Sequence, residues 1–94
     1  MLISGLLLLA ASAQVLAKDD HRRARELSAT GEIMPLEQLL QKLHGYGRVL
    51  EVELESEHGQ HVYEIEFLDS QGRVQKRYFD ARSGEALSGK PGDD

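Results

Sequence analysis

Leu36, Leu39, Leu40 and Leu43 recur at the i, i+3, i+4, i+7 spacing of one helix face. Pro35 fits the first helical position, Glu37 the first turn, Lys42 and His44 the last, and Gly45 the stop. This predicts a short amphipathic helix over Leu36–Leu43. From Arg48 the period drops to two: Leu50, Val52 and Leu54 alternate with Glu51, Glu53, Glu55 and Glu57, as in a half-buried strand. His58-Gly59 makes a turn, and Tyr63, Ile65 and Phe67 then alternate with Glu64 and Glu66. Asp69-Ser70-Gln71-Gly72 reads as a four-residue turn, Val74–Asp80 as a third strand, and Glu85-Ala86-Leu87 as a short fourth.

Taking Glu57–Gln60 and Asp69–Gly72 as the hairpin loops fixes a register. Leu50 then faces Phe67, Val52 faces Ile65 and Leu54 faces Tyr63; across the second hairpin Phe67 faces Val74 and Tyr63 faces Tyr78. The apolar residues of the first two strands share one face, and the four leucines are their cover. The expected fold is α+β, with one main amphipathic helix on a three- to four-stranded antiparallel meander. Lys76 falls on the covered face opposite Ile65, so it must snorkel at an edge or sit beside a bulge.

The two ends read differently. Residues 1–17 carry no charged side chain, and an apolar run at Leu6–Leu9 precedes small residues and Val15-Leu16-Ala17. That is the layout of a signal peptide, with cleavage expected after Ala17 or, second, after Ala13. The stretch is too short and interrupted for a membrane anchor, so no stable membrane insertion is expected once the leader is removed. Residues 18–32 form a charged lead-in, with a frayed helix expected over His21–Ala29, capped by Asp20. Residues 33–88 form the domain, and residues 89–94 read as a disordered tail.

Composition narrows the function. The 11 Lys and Arg are outnumbered by 16 Asp and Glu, giving a net charge of −5. A nucleic-acid binder would show a basic footprint instead. Without Cys there is no disulfide frame, zinc ribbon or thiol nucleophile. Ser70, Ser83 and Ser88 stand in turns without a nucleophile-elbow context. No catalytic residue and no cofactor are expected.

One sheet face is the best functional lead. Glu51 lies beside Glu66 and Glu53 beside Glu64, with Arg77 next in line. Like charges directly opposite destabilise a sheet, so one reading of the row is a surface for a basic protein partner. It also fits a solvated face with arginines folded over the carboxylates. His58 and His61, with Glu57 near, are the only histidines close enough in sequence to suggest a metal, yet they straddle a turn and form no known ligand frame. Gly72, Asp80 and Gly84 read as fold-determining turn residues.

The ordered set Pro35-Leu36-Glu37, Val49–Leu54, Tyr63-Glu64-Ile65, Asp69–Val74 and Tyr78-Phe79-Asp80-Ala81-Arg82-Ser83-Gly84-Glu85-Ala86-Leu87 resembles a PepSY domain. That pattern closes on an aromatic or aliphatic pair followed by Asp-Ala-x-Thr/Ser-Gly-Glu-hydrophobic-Leu. Gln75, Lys76 and Arg77 depart from it, standing where the family is more apolar. The resemblance implies a helix on an antiparallel sheet, no catalytic residues, and a periplasmic or secreted module that modulates a peptidase or envelope protein. An exposed edge, the first strand or Glu85–Leu87, would let such a module add to a partner's sheet. The alternatives are a cation binder using the acidic face and turn histidines, and a small structural homodimer.

Overall fold

In a computed structural model of the chain, which describes Leu16 and residues 18–91, the alternating segment folds into one antiparallel sheet of order β1-β2-β3-β4. Its strands are β1 (Arg48–Glu57), β2 (Gln60–Leu68), β3 (Val74–Asp80) and β4 (Ala86–Leu87). Among the described residues two α-helices precede it, α1 (Lys18–Ala29) and α2 (Leu36–Lys42), followed by a 3₁₀ turn at His44–Tyr46. The architecture is the expected α+β meander, and among the described residues both the charged lead-in and the leucine segment are helical. The leader falls on residues 1–17, which apart from Leu16 lie outside the described residues.

The leucine helix covers the sheet as its spacing requires. Leu39 and Leu43 are buried, and Leu36 and Leu40 pack partly buried against the same cluster. Opposite them lie Val52, Leu54, Tyr63, Ile65, Phe67 and Phe79, none more than 3% exposed. Pro35 caps the helix from just outside rather than opening it.

The first hairpin keeps its expected pairs Val52–Ile65 and Leu54–Tyr63. Its two-residue loop is left-handed at both His58 (φ 54°) and Gly59 (φ 77°), the twist that matches antiparallel strands. Further along, a bulge between Val49 and Glu51 makes Leu50 the extra residue, so Val49 and not Leu50 faces Phe67.

The second hairpin corrects the expected register by one residue. Gly72, at φ 79°, donates its N–H to the Asp69 carbonyl, and the Asp69 N–H reaches past it to the carbonyl of Arg73. This is a type I turn closed by a left-handed glycine bulge, one residue longer than a four-residue loop. Phe67 therefore pairs with Gln75, Tyr63 with Phe79, Ile65 with Arg77 and Glu66 with Lys76. A single-residue slip exchanges the two faces of β3. Val74 becomes 60% exposed, Lys76 moves to the acidic face, and Arg77 moves to the helix side. Val62 also departs from the expected single apolar face: it pairs with Glu55 on the acidic side and is buried there, in a depression that Lys90 and Pro91 help to line.

The lead-in helix is longer than expected and makes polar bonds to the sheet. It runs from Lys18, so Asp20 lies inside its first turn rather than capping it. Ala24 is buried, Leu27 is partly buried against the core, and Leu16 just ahead bridges in parallel to Val52. Asp20 and Arg23 both bond to the backbone of Leu54, covering the outer edge of β1 at that point. The expectation of an open first-strand edge is thus overturned at Val52–Leu54.

Candidate functional site

The outer sheet face forms because the odd-numbered β1 residues from Glu51 onward and the even-numbered β2 residues point away from the helices. The pairs Glu51–Glu66 and Glu53–Glu64 stand opposite each other as the alternation requires. Glu55, in the same row, completes a group with Glu53 and Glu64 whose carboxylate oxygens lie within 4.8 Å of one another.

Two lysines answer this charge. Lys76 Nζ is 3.4 Å from Glu64 Oε2 and 3.9 Å from Glu66 Oε2, and Lys90 Nζ is 3.2 Å from Glu55 Oε1. Arg77, expected to extend the row, lies instead 5.9 Å from the centre of the Tyr46 ring, which stacks on Phe67. The tail accordingly contributes to the face through Lys90.

Burial raises the Glu64 carboxyl above its ordinary pKa, and its bond to Glu55 adds to the rise against the opposing pull of Lys76. The Lys76 ammonium is pushed up in return, chiefly by Glu64. Such a face can attract and orient a cationic surface.

The histidines do not join it. His58 occupies the left-handed hairpin position. His61 Nδ1 lies 2.6 Å from Ser56 Oγ, and its Nε2 lies 3.6 Å from Glu32 Oε1. His61 and Glu32 line a shallow cavity of about 240 Å³ with Gln60, Asp80 and Arg82.

The turn residues act on the frame. Asp80 Oδ1 accepts from the N–H groups of Arg82 (2.8 Å) and Ser83 (3.0 Å), while the Gly84 N–H returns to the Asp80 carbonyl. Burial works against the Asp80 charge, but these bonds and that from Gln60 outweigh it and hold its pKa below the ordinary value. Asp69 builds the other turn, with Oδ1 accepting from the N–H groups of Gln71 and Arg73.

Glu55 was recoverable from the same alternation as Glu51 and Glu53. Lys76 was hidden by the register slip. Lys90 gave no signal, because a lysine in a Gly- and Pro-containing segment carries no pattern.

A family model described as "PepSY: Peptidase propeptide and YPEB domain" matches residues 33–90. No curated protein and no solved structure matches the chain.

Proposed function

The chain belongs to the PepSY family, and from that premise we propose that it is an exported, non-enzymatic binding module that restrains or modulates a protein partner, a peptidase or an envelope sensor protein. Domains of this family are generally non-catalytic, propeptide- or inhibitor-like, and typically extracellular or periplasmic. Among the described residues no helix is long and apolar enough to cross a membrane.

The observation that carries the reading is the acidic row. Glu51, Glu53, Glu64 and Glu66 face one another in like-charged pairs, an arrangement that opposes sheet stability. A basic partner surface would relieve that repulsion and convert it into affinity and orientation. The test is capture from envelope extract by the full chain, against a bait carrying Glu51→Gln, Glu53→Gln, Glu64→Gln and Glu66→Gln. A peptidase or sensor identified with the first bait and lost with the second supports the reading. Equal capture removes the acidic face from it, and no specific capture by either overturns a stable partner.

The clustering of Glu53, Glu55 and Glu64 favours one second reading, a divalent-cation site on the same face. A melting temperature raised by calcium and restored by chelator would support it, and unchanged melting would remove it.

A further inference from the structure

Strand β1 ends the sheet, and the outward peptide groups of Leu54 are bonded by side chains instead of another strand. The Leu54 N–H donates to Asp20 Oδ2 at 3.2 Å, and the Leu54 carbonyl accepts from Arg23 Nη2. Asp20 and Arg23 stand one helical turn apart on α1, with Arg23 Nη1 3.6 Å from Asp20 Oδ1. A carboxylate taking the N–H and a guanidinium serving the carbonyl reproduce what a neighbouring strand would offer. Two residues earlier, Val52 receives the parallel bridge from Leu16.

This cover is held lightly. Ala24 is the only buried residue of α1, and Leu27 is partly buried against the core. The Arg23 Nε–H is buried without a partner, a penalty the closed position carries. The family match begins at residue 33, beyond the end of α1.

We propose that α1 is a removable cap, and that the β1 edge beneath it takes an extended peptide of alternating apolar and basic residues as a fifth strand. The peptide chemistry follows from the two faces of that edge. Residues of the added strand on the side of Val52 and Leu54 meet apolar surface, and those on the side of Glu51, Glu53 and Glu55 meet carboxylates. Cap and peptide compete for the same Leu54 groups, so the apparent affinity is the intrinsic affinity multiplied by the fraction of chains that are open. The proposal rests on the protein-binding reading above and gives it a geometry.

The test titrates a synthetic peptide of alternating Val and Lys into the full chain and into a variant carrying Asp20→Ala and Arg23→Met. Amide exchange is followed at Val52 and Leu54. Opening the cap is expected to tighten binding about ten-fold or more. The Leu54 amide should exchange faster in the variant alone and slow again when peptide is added. Leu27→Asp, which loosens α1 from the core, should act in the same direction. A retained near-ultraviolet tyrosine signal shows that the sheet is intact in each variant. Equal affinity for closed and opened chains, or a Leu54 amide that peptide does not protect, overturns the capped edge. If the peptide is then still lost on Glu51→Gln with Glu53→Gln, the acidic-face reading survives alone. No binding by the opened chain also overturns the edge, and capture from extract decides the face separately.

Discussion

The Lys76 ammonium lies 3.4 Å from the Glu64 carboxylate, bridging β3 to β2 on the acidic face. Glu64 is its more buried partner, 12% exposed, and its pKa is raised first by burial and then by Glu55. A carboxyl with a raised folded pKa binds more protons in the folded state, so its contribution to stability falls as pH rises through that pKa. Near pH 7 the charged Glu64 is therefore a penalty. Glu64→Gln is expected to stabilise the chain at neutral pH by on the order of 0.5–1 kcal/mol, the scale of a cross-strand pair. Urea denaturation at several pH values checks this, and the gain should shrink in acid. Lys76→Met should move stability the other way at neutral pH, because it leaves the carboxylates facing one another.

Asp69 and Asp80 oppose Glu64 in the pH profile. Their folded pKa values are lowered: that of Asp69 chiefly by the Arg73 N–H, that of Asp80 by the Ser83 and Arg82 bonds that overcome burial. Their stabilisation is present above the ordinary Asp value of about 3.9 and is lost as pH falls through the lower folded values. Stability should thus rise on mild acidification, as Glu64 protonates, and then collapse below about pH 4. Asp80→Ala removes the acceptor for two backbone N–H groups and should cost about 1–2 kcal/mol at neutral pH. Chemical denaturation of this variant across the acid range should also show a shallower collapse.

Gly84 has two reasons to be glycine. Its φ is +80°, and a Cβ there would meet Met34 Cε at 3.1 Å and Sδ at 3.2 Å. Gly72 has nearly the same φ, +79°, with nothing near the added carbon. Gly72→Ala should therefore cost only the left-handed strain, about 1 kcal/mol, and Gly84→Ala should cost more. Combining Gly84→Ala with Met34→Ala separates the two effects: crowding is relieved, strain is not. A double-mutant cycle of melting free energies measures that coupling, and strict additivity would show that Met34 yields without resistance.

These residues also explain how much was legible from sequence. Leu39 and Leu43 announce the helix, and the alternation of Val52 and Leu54 with glutamates announces β1, because burial on one face writes a period into the chain. The face of β3 was not legible. It depends on whether Gly72 closes the turn or adds a bulge, and Val74-Gln75-Lys76-Arg77 has no apolar alternation to arbitrate. With a four-residue loop Arg77 would stand beside the glutamates, where the bulge places Lys76. The role of Asp20 and Arg23 was also out of reach, since they bond to a peptide group more than thirty residues away. Contacts of that kind leave no local pattern.

Tyr63 carries the strongest test of the core. Its ring is fully buried between Leu54 and Phe79 in the sheet register, and its hydroxyl is buried without a hydrogen-bond partner. Burial, helped by Glu37, pushes its phenol up to about 12. A phenol raised in the folded state gives stability that is complete below the ordinary value of about 10 and lost as pH rises toward the folded one. Tyr63→Phe removes an unsatisfied polar atom while keeping the ring, so it should stabilise the chain by about 1 kcal/mol at neutral pH. It should also remove part of the alkaline loss, because the unfolded chain no longer gains a tyrosinate at this position. Denaturation at neutral and alkaline pH reads both effects, and tyrosinate absorbance should lose one transition near pH 12 in the variant. A variant less stable than its parent at neutral pH would mean that the hydroxyl has a partner, and Glu37, at the start of α2, would be the first side chain to replace.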